Sequence, residues 1–415
     1  MTTDTLPPKS NLRWWVCGML FLATTLNYMD RVALNQTSNV IVKEFGLDDR
    51  DYARLEAAFD IAFGIGTLLI GWLVDRVNVR WVYPVVVAGW SLAGFFTGYT
   101  DTFAMLLLAR IALGFFEAGN WPCGIRTTRT ILPPAERSFG NALFQSGTAI
   151  GAIITPLIVL ACFRYYGEDT PGVWTVPFRA IGLIGIVWVV AWVAFVPGRL
   201  FPPPLSSTEP ATPFSAVFRD RKFWLLVLVI FGVNTGWHTV RVWMPRLLKV
   251  GHGYSEPEIQ QFGMAYYFAA DLGSWGVGLL TMYLAYRGRD LFRVRRGTFY
   301  FCTFLLVAST MAVPNLSGQK LQLALIVVGF AALGLFPTYF SLSQEVSGRH
   351  QGKVTGTLGC INAIYMAGMK TAQGAYVNET QRFDHLIAIA AIPAVIACVA
   401  LLFWPQSRKK VTSDE

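Results

Sequence analysis

The feature that most constrains this chain is a series of apolar stretches long enough to cross a lipid bilayer. A helix rises about 1.5 Å per residue, so about 20 residues span the roughly 30 Å hydrocarbon core of a membrane. Twelve stretches meet this requirement, and each predicts a transmembrane helix. They lie near residues 14–36, 52–73, 81–99, 102–125, 138–162, 175–197, 222–248, 257–285, 295–314, 319–344, 352–374 and 383–404.

The composition excludes several other classes of protein. Only 14% of the residues are charged and 54% are hydrophobic, whereas a soluble domain carries about 25% charged residues. A large soluble enzyme and a long disordered chain are both excluded on this ground. The 6 cysteines are scattered without a CxxC pair, and no nucleotide-binding or hydrolase motif is present. We therefore expect no metal and no cofactor, apart from a proton as a coupling ion.

Positive charge predicts the orientation in the membrane. Most of the 34 lysines and arginines fall in the two tails and in the even-numbered loops. Because cytoplasmic loops carry an excess of these residues, both termini are predicted to be cytoplasmic. The same distribution explains the pI of about 9.3 without any binding of nucleic acid.

A change of composition divides the chain in two. Residues 199–221 are rich in Pro, Ser and Thr, which predicts a cytoplasmic linker. The linker separates residues 1–198 from residues 222–415, with six predicted helices in each half. The fold class is therefore an all-α integral membrane protein built from two six-helix halves, an organisation found in secondary transporters.

Ionisable residues inside the predicted spans of the first half are candidates for a functional site. The first span contains Tyr28, Asp30 and Arg31, and the fourth contains Arg110 and Glu117. A charge at the bilayer centre costs about 2.5–3.5 kcal/mol, so it persists where it meets a partner or a wet cavity. These groups can form structural ion pairs. Their presence together in one half favours a site for an anion and a proton, because arginine holds carboxylates and buried carboxylates exchange protons.

The second half contributes a weaker set of polar residues. The seventh span carries His238 and Arg241 three residues apart, and the eleventh carries Asn362. We expect these three to contribute to binding, although Arg241 can alternatively reach the lipid headgroups. The sequence leaves open the roles of three more ionisable residues inside the spans: Lys370, Asp271 and Asp60.

The segment GWLVDRVNVR at residues 71–80 resembles the short signature that follows the second helix in the major facilitator superfamily. The resemblance implies that Gly71 allows close helix packing. It also implies that Asp75 and Arg76 form a contact of the cytoplasmic gate.

Four further segments resemble the anion:cation symporter branch of this superfamily, which includes bacterial hexuronate and galactonate permeases. They are NYMDR at 27–31, RIALGFFEAGNWP at 110–122, LPPAER at 132–137 and SGTAIGAIITP at 146–156. The resemblance implies three groups of site residues: Tyr28, Arg31 and Arg110 for the organic anion, Asp30 and Glu117 for proton coupling, and Thr148 in the cavity wall.

The chain also departs from that branch. Phe63 stands where several sugar-acid permeases have a substrate-binding tyrosine, and His238, Arg241 and Lys370 are not typical of it. An extra cation in the second half would suit a dicarboxylate or another highly charged anion.

These observations predict a multi-pass protein of the cell membrane, in bacteria the inner membrane, that transports an organic anion by alternating access. The predicted activity is proton-coupled symport of a sugar acid such as a hexuronate or an aldonate. Sodium-coupled transport or exchange of another carboxylate is the alternative, and an integral-membrane enzyme is disfavoured because every loop is short. The expected partners are the small anion and the lipid bilayer, with no obligate protein partner.

Overall fold

The computed structural model describes residues 11–167, 170–201 and 213–405, and within these ranges the chain is helical with no strand. Fifteen α-helices are present. Their bounds are α1 Leu12–Phe45, α2 Asp49–Val74, α3 Val79–Thr97, α4 Phe103–Glu117, α5 Asn120–Ile131, α6 Arg137–Tyr166, α7 Thr175–Phe195, α8 Arg221–Arg246, α9 Glu256–Tyr286, α10 Leu291–Ala312, α11 Gly318–Gly334, α12 Phe336–Val346, α13 Gln351–Thr380, α14 Phe383–Ile389 and α15 Ile392–Leu402.

Three pairs of these helices run end to end. Ala118 and Gly119 separate α4 from α5, Leu335 separates α11 from α12, and Ala390 and Ala391 separate α14 from α15. Each pair corresponds to one predicted span. The fifteen helices therefore form twelve helical segments along the chain.

Within the described ranges, nine of these segments are long and apolar enough to cross a membrane by length and composition. The remaining three are α1, α9 and α13, which carry Asp30, Arg31, Asp271 and Lys370. The second and fourth predicted spans contain polar residues. The corresponding helices, α2 and the α4–α5 segment, are nevertheless apolar enough to be among the nine. A total of twelve crossings and the cytoplasmic position of the termini stay predictions.

Short polar side chains fix where several helices begin. Asp48, Thr102, Asp220 and Asp290 each accept a hydrogen bond from a backbone N–H of the first turn. Such N-caps satisfy donors that have no partner inside the helix. At the other end of α1, Gly46 adopts a φ of 63° and closes the helix, a conformation that favours glycine.

The helices pack into two groups that meet along six of their members. In the first group α1 packs on α6, α2 on α4, and α3 on α7. In the second group α9 packs on α11 and α8 on α15. The contacts between the groups join α2 to α13, α6 to α9, α6 to α12, and α5 to both α12 and α13.

The predicted linker is described only in part, since residues 202–212 lie outside the described ranges. Residues Phe214–Arg219 form a short 3-10 helix. The ring of Phe214 lies 5.7 Å from that of His350 and 5.5 Å from Nζ of Lys353. We call the end of the bundle where α1 begins and where this short helix lies the linker end.

Glycines bring the two groups into close contact at the linker end. A Cβ added to Gly71 of α2 would lie 2.5 Å from the carbonyl oxygen of Gly352 at the start of α13. A Cβ added to Gly278 of α9 would lie 2.9 Å from Cα of Phe139 on α6. Small residues allow helix backbones to approach in this way. We call these contacts, together with the hydrogen bonds around Asp75, the linker-end seal.

Candidate functional site

A cavity of about 720 Å³ lies between the two groups of helices, beyond the linker-end seal. Its size falls within the range of about 300–1,000 Å³ that is usual for small-molecule sites. Both halves of the chain line it, through α1, α2 and α6 on one side and α8 and α13 on the other. The predicted site residues in its wall are Tyr28, Arg31, Thr148, His238 and Asn362.

Arg31 is the central cation of the first-half wall. Its Nε and Nη2 donate to one carboxylate oxygen of Glu117, at 3.1 and 2.9 Å. The rings of Tyr28, Phe59 and Phe63 surround the guanidinium with centroids 5.5, 5.1 and 4.9 Å away. The Arg31 side chain is 30% exposed and that of Glu117 is 0% exposed. The guanidinium therefore has one face on the cavity and one on a buried carboxylate.

Arg110 lies away from the cavity wall and pairs with a different acid. Its Nη2 lies 3.0 Å from Oε1 of Glu56, and its guanidinium lies 4.6 Å from the ring centroid of Phe59. Arg110 and Glu117 share a helix face, as their spacing predicts, but each is paired with a residue of another helix. Sequence reasoning missed Glu56, whose only signal is a charge inside the predicted span 52–73.

Asp30 is the most enclosed acid of this group. Only 1% of it is exposed, and neither carboxylate oxygen has a hydrogen-bond partner among the described residues. A Cβ added to Gly94 of α3 would lie 2.5 Å from Oδ1 of Asp30, so the acid packs directly against that helix. Asp30 and Glu117 are thus buried acids behind the first-half wall.

The second-half wall carries polar side chains of another kind. Nη2 of Arg241 lies 3.4 Å from Nδ1 of His238, and His238 lines the cavity while Arg241 lies behind it. Asn362 and Lys370, both on α13, also line it. The buried Oδ1 of Asn362 has no hydrogen-bond partner in the part of the chain that the structure describes.

The three residues whose roles were left open occupy different places. Asp60 and Lys370 line the cavity from opposite halves. Asp271 is 6% exposed on α9 and lies outside the cavity lining. Lys370 therefore contacts the space between the halves, which is one of the two places that its sequence position allowed.

Gln145 and Trp121 are among the lining residues that were not anticipated from the sequence. Gln145 lies three residues before Thr148 on α6 and shares its helix face, which was the available signal. Trp121 stacks on Phe340 of the other half with centroids 5.3 Å apart. The aromatic pattern gave no way to tell this contact from ordinary packing.

The gate motif lies in the linker-end seal. The two carboxylate oxygens of Asp75 accept the backbone N–H groups of Gly352 and Lys353 at 2.7 and 2.9 Å. Burial raises the pKa of Asp75, although these N–H groups oppose the change. Arg76 is exposed and stacks on Trp72, 3.4 Å from its ring centroid. Gly71 and Asp75 therefore join the halves, and Arg76 contacts its own helix.

Other hydrogen bonds between the halves cluster at the same end. Arg126 donates to the carbonyl of Gly348 at 2.9 Å, and Arg129 donates to the side chain of Gln351 at 2.9 Å. The hydroxyls of Ser138 and Ser341 are 2.9 Å apart. This polar layer closes one end of the cavity.

A family model described as the Major Facilitator Superfamily matches residues 20–369. The chain therefore belongs to the Major Facilitator Superfamily. It is a multi-pass membrane transporter and not an enzyme, as the sequence predicted.

Curated relatives align with the chain over almost its full length. The hexuronate transporter of Escherichia coli (strain K12) is 23% identical over 96% of this chain and 95% of its own. The probable galactarate/D-glucarate transporter of the same strain is 25% identical over 97% of each chain. These relatives confirm the resemblance to sugar-acid permeases.

Solved structures show the same fold. The crystal structure of the transporter FucP in the outward conformation aligns with a TM-score of 0.75 at 13% identity, over 95% of this chain and 100% of that one. A human organic anion transporter aligns with a TM-score of 0.71 at 15% identity, over 95% of this chain and 100% of that one.

Proposed function

We propose that this protein is a proton-coupled symporter that moves a sugar acid across the membrane by alternating access. The observation that carries the proposal is the Arg31–Glu117 pair, in which a cavity-lining guanidinium is held by a buried carboxylate. A substrate carboxylate and Glu117 are chemically equivalent partners for Arg31. The two compete for the same donors.

Competition for Arg31 links the proton to the substrate. When Glu117 is ionised, its charge compensates Arg31 and an incoming carboxylate gains little. A proton on Glu117 removes that compensation, so Arg31 becomes available to the substrate. The loaded site then holds the same net charge as the empty one, which limits the cost of enclosing charge when the cavity closes.

Asp30 extends this arrangement. Its carboxylate lies in the same buried layer, and the charges of Glu117 and Arg110 both act on it. A second acid next to the first allows a proton to be shared or passed on. We assign Asp30 and Glu117 together to proton coupling, with Glu117 as the group in contact with the substrate-binding arginine.

The identity of the substrate rests on the cavity and on the relatives. An arginine with two parallel donors suits a carboxylate, and Gln145, Thr148 and Asn362 offer hydrogen bonds that suit sugar hydroxyls. The named relatives are a hexuronate transporter and a probable galactarate/D-glucarate transporter. A sugar acid satisfies both requirements.

The predicted orientation assigns the closed end to the cytoplasm. Positive charge concentrates in the loops of the linker end, and the seal closes the cavity there. In this orientation the cavity would open to the outside, ready to receive a proton and a substrate. Import would then require the seal to open while the opposite ends of α1, α2, α8 and α13 come together.

The experiment is uptake by the purified protein in proteoliposomes. An inward proton gradient, acid outside, is imposed, and accumulation of labelled glucuronate, galactonate and other carboxylates is followed. The proposal predicts uphill accumulation of a sugar acid that a protonophore abolishes. Accumulation that depends on sodium instead, or uptake only against a preloaded anion, would replace proton symport by the alternative mechanism.

A further inference from the structure

Two cations of the second half, Lys370 and Arg241, have no acidic partner among the residues that the structure describes. Lys370 lines the cavity, and no carboxylate of the described residues lies within ion-pair distance of it. Arg241 likewise has no acidic partner in the described ranges, and its buried Nε makes no hydrogen bond there. Its one close polar contact with the cavity wall is Nη2 to His238 at 3.4 Å.

In the first half, the two arginines of the site are paired with carboxylates. Arg31 is compensated by Glu117 and Arg110 by Glu56. Asp60 adds a further carboxylate to the first-half wall. Among the described residues, the two site arginines of the first half are therefore paired with acids, and Lys370 and Arg241 of the second half are not.

The two cationic regions face the same enclosed space. Arg31 lines the cavity from α1 and Lys370 lines it from α13, so they belong to opposite halves. His238 lies within electrostatic reach of Arg31, Arg241 and Lys370. A ligand in contact with His238 is thus exposed to positive charge from both sides.

Uncompensated cations inside a membrane protein are costly, and they are retained where a ligand or a pathway needs them. A monocarboxylate held by Arg31 would leave Lys370 without a counter-charge when the cavity closes. A ligand with a second anionic group would supply one. Lys370 is exposed in the open cavity, so closure around a ligand with one anionic group would bury its charge without a partner. Such burial costs more than the loss of an apolar contact.

We propose that Lys370, with Arg241 behind His238, forms a second anion-binding region opposite Arg31, and that the preferred substrate is a sugar acid with two carboxylates. One carboxylate binds Arg31 of the first half and the other binds Lys370 of the second. Such a ligand bridges the halves and favours their closure around it. This inference rests on the proposed function and narrows its substrate class.

The test compares two linear six-carbon acids that differ at one end only. Glucarate carries carboxylates at both ends, and gluconate has a primary alcohol in place of the second. Both are assayed in proteoliposomes with the wild type, with Lys370→Gln and with Lys370→Arg. Lys320→Gln, at an exposed lysine near the start of α11 outside the cavity, is the matched control.

The wild type is expected to transport glucarate with a kcat/KM at least tenfold above that of gluconate. Lys370→Gln should raise the KM for glucarate at least tenfold and leave gluconate within about threefold, a tenfold change corresponding to about 1.4 kcal/mol. Lys370→Arg should retain glucarate transport because it keeps the positive charge. Lys320→Gln should leave the kcat/KM of both substrates unchanged.

Two outcomes would overturn this inference and leave the proposed function intact. One is transport of glucuronate or gluconate with a preference over glucarate, and the other is an equal loss of both acids in Lys370→Gln. If that variant does not fold, Arg241→Gln is measured in its place with the same criteria. Failure of the wild type to transport any sugar acid contradicts the proposed function as well.

Discussion

The two walls of the cavity differ in how their charges are arranged. In the first half Arg31 and Arg110 each meet a carboxylate, and the acids Glu117 and Asp30 are buried behind the wall. In the second half Lys370 has no acidic partner among the described residues. We infer that the two walls have different functions in transport. A wall of paired charges is suited to exchange a proton for a ligand, and a wall whose lysine has no acidic partner in the described ranges is suited to hold an anion.

The largest effect is expected at Arg31. Arg31→Lys keeps the charge but removes the two parallel donors to a carboxylate and the planar surface that lies between three aromatic rings. Loss of a hydrogen bond to a charged group costs about 1.5–3 kcal/mol, so we expect a roughly tenfold or larger fall in affinity. Initial uptake of the labelled sugar acid measures this. Arg54→Lys, at an exposed arginine of α2, is the control, and uptake by Arg31→Lys within about threefold of it would contradict the assignment.

The seal that joins the two halves should be the next most sensitive feature. In Gly71→Ala the added methyl would lie 2.5 Å from the carbonyl oxygen of Gly352. Overpacking of this kind costs about 1–3 kcal/mol, so we expect transport to fall about tenfold as the sealed form is disfavoured. Gly276→Ala on α9 is the matched control, because nothing lies within 4 Å of its added Cβ. Equal rates in the two variants would show that the close approach is not needed.

A smaller effect on transport is expected at Glu56, and it distinguishes the Arg110–Glu56 pair from the Arg31–Glu117 pair. Glu56 is 39% exposed and Glu117 is fully buried. Glu56→Gln leaves the guanidinium of Arg110, which is 2% exposed, with a neutral acceptor. We expect a loss of about 1–3 kcal/mol of stability and a fall in the melting temperature of at least about 2 °C. The accumulation ratio driven by a proton gradient should stay unchanged. Loss of accumulation in Glu56→Gln would place this pair in the coupling mechanism and remove the distinction from Glu117.

The smallest effect concerns pH and the linker-end seal. Burial raises the pKa of Asp75 above its ordinary range, so the sealed form binds a proton more tightly than a separated form. The contribution of this proton to the seal is complete below the ordinary aspartate pKa and is lost as pH rises through the raised value. Lower pH should therefore reduce the labelling rate of a cysteine placed in the seal. Asp75→Asn should remove the pH dependence, and persistence of the dependence in that variant would assign it to another group.

Much of the fold could be predicted from the sequence because the apolar pattern is long and regular. The predicted spans 52–73 and 175–197 correspond to α2 Asp49–Val74 and α7 Thr175–Phe195. The first prediction, 14–36, was too short, since α1 continues to Phe45. Its last turns carry polar residues that an apolar criterion excludes, although backbone hydrogen bonding continues through them.

The site was less predictable, because pairing between helices is decided by packing. The spacing of Arg110 and Glu117 placed both on one helix face but did not reveal their partners. Glu117 pairs with Arg31 of α1, and Arg110 pairs with Glu56 of α2. Similarly, sequence alone left Lys370 between the membrane interface and the cavity, since both positions suit a long cationic side chain.

Competition between Glu117 and the substrate for Arg31 is the central claim, and one variant tests it directly. Glu117→Gln keeps the size of the side chain and removes its negative charge, and Glu379→Gln at an exposed position of α13 is the control. Both are reconstituted and assayed for uphill accumulation in a proton gradient and for exchange of labelled against unlabelled sugar acid. The account predicts that Glu117→Gln retains exchange and loses accumulation, while Glu379→Gln retains both. Accumulation by Glu117→Gln at the level of the control would contradict it.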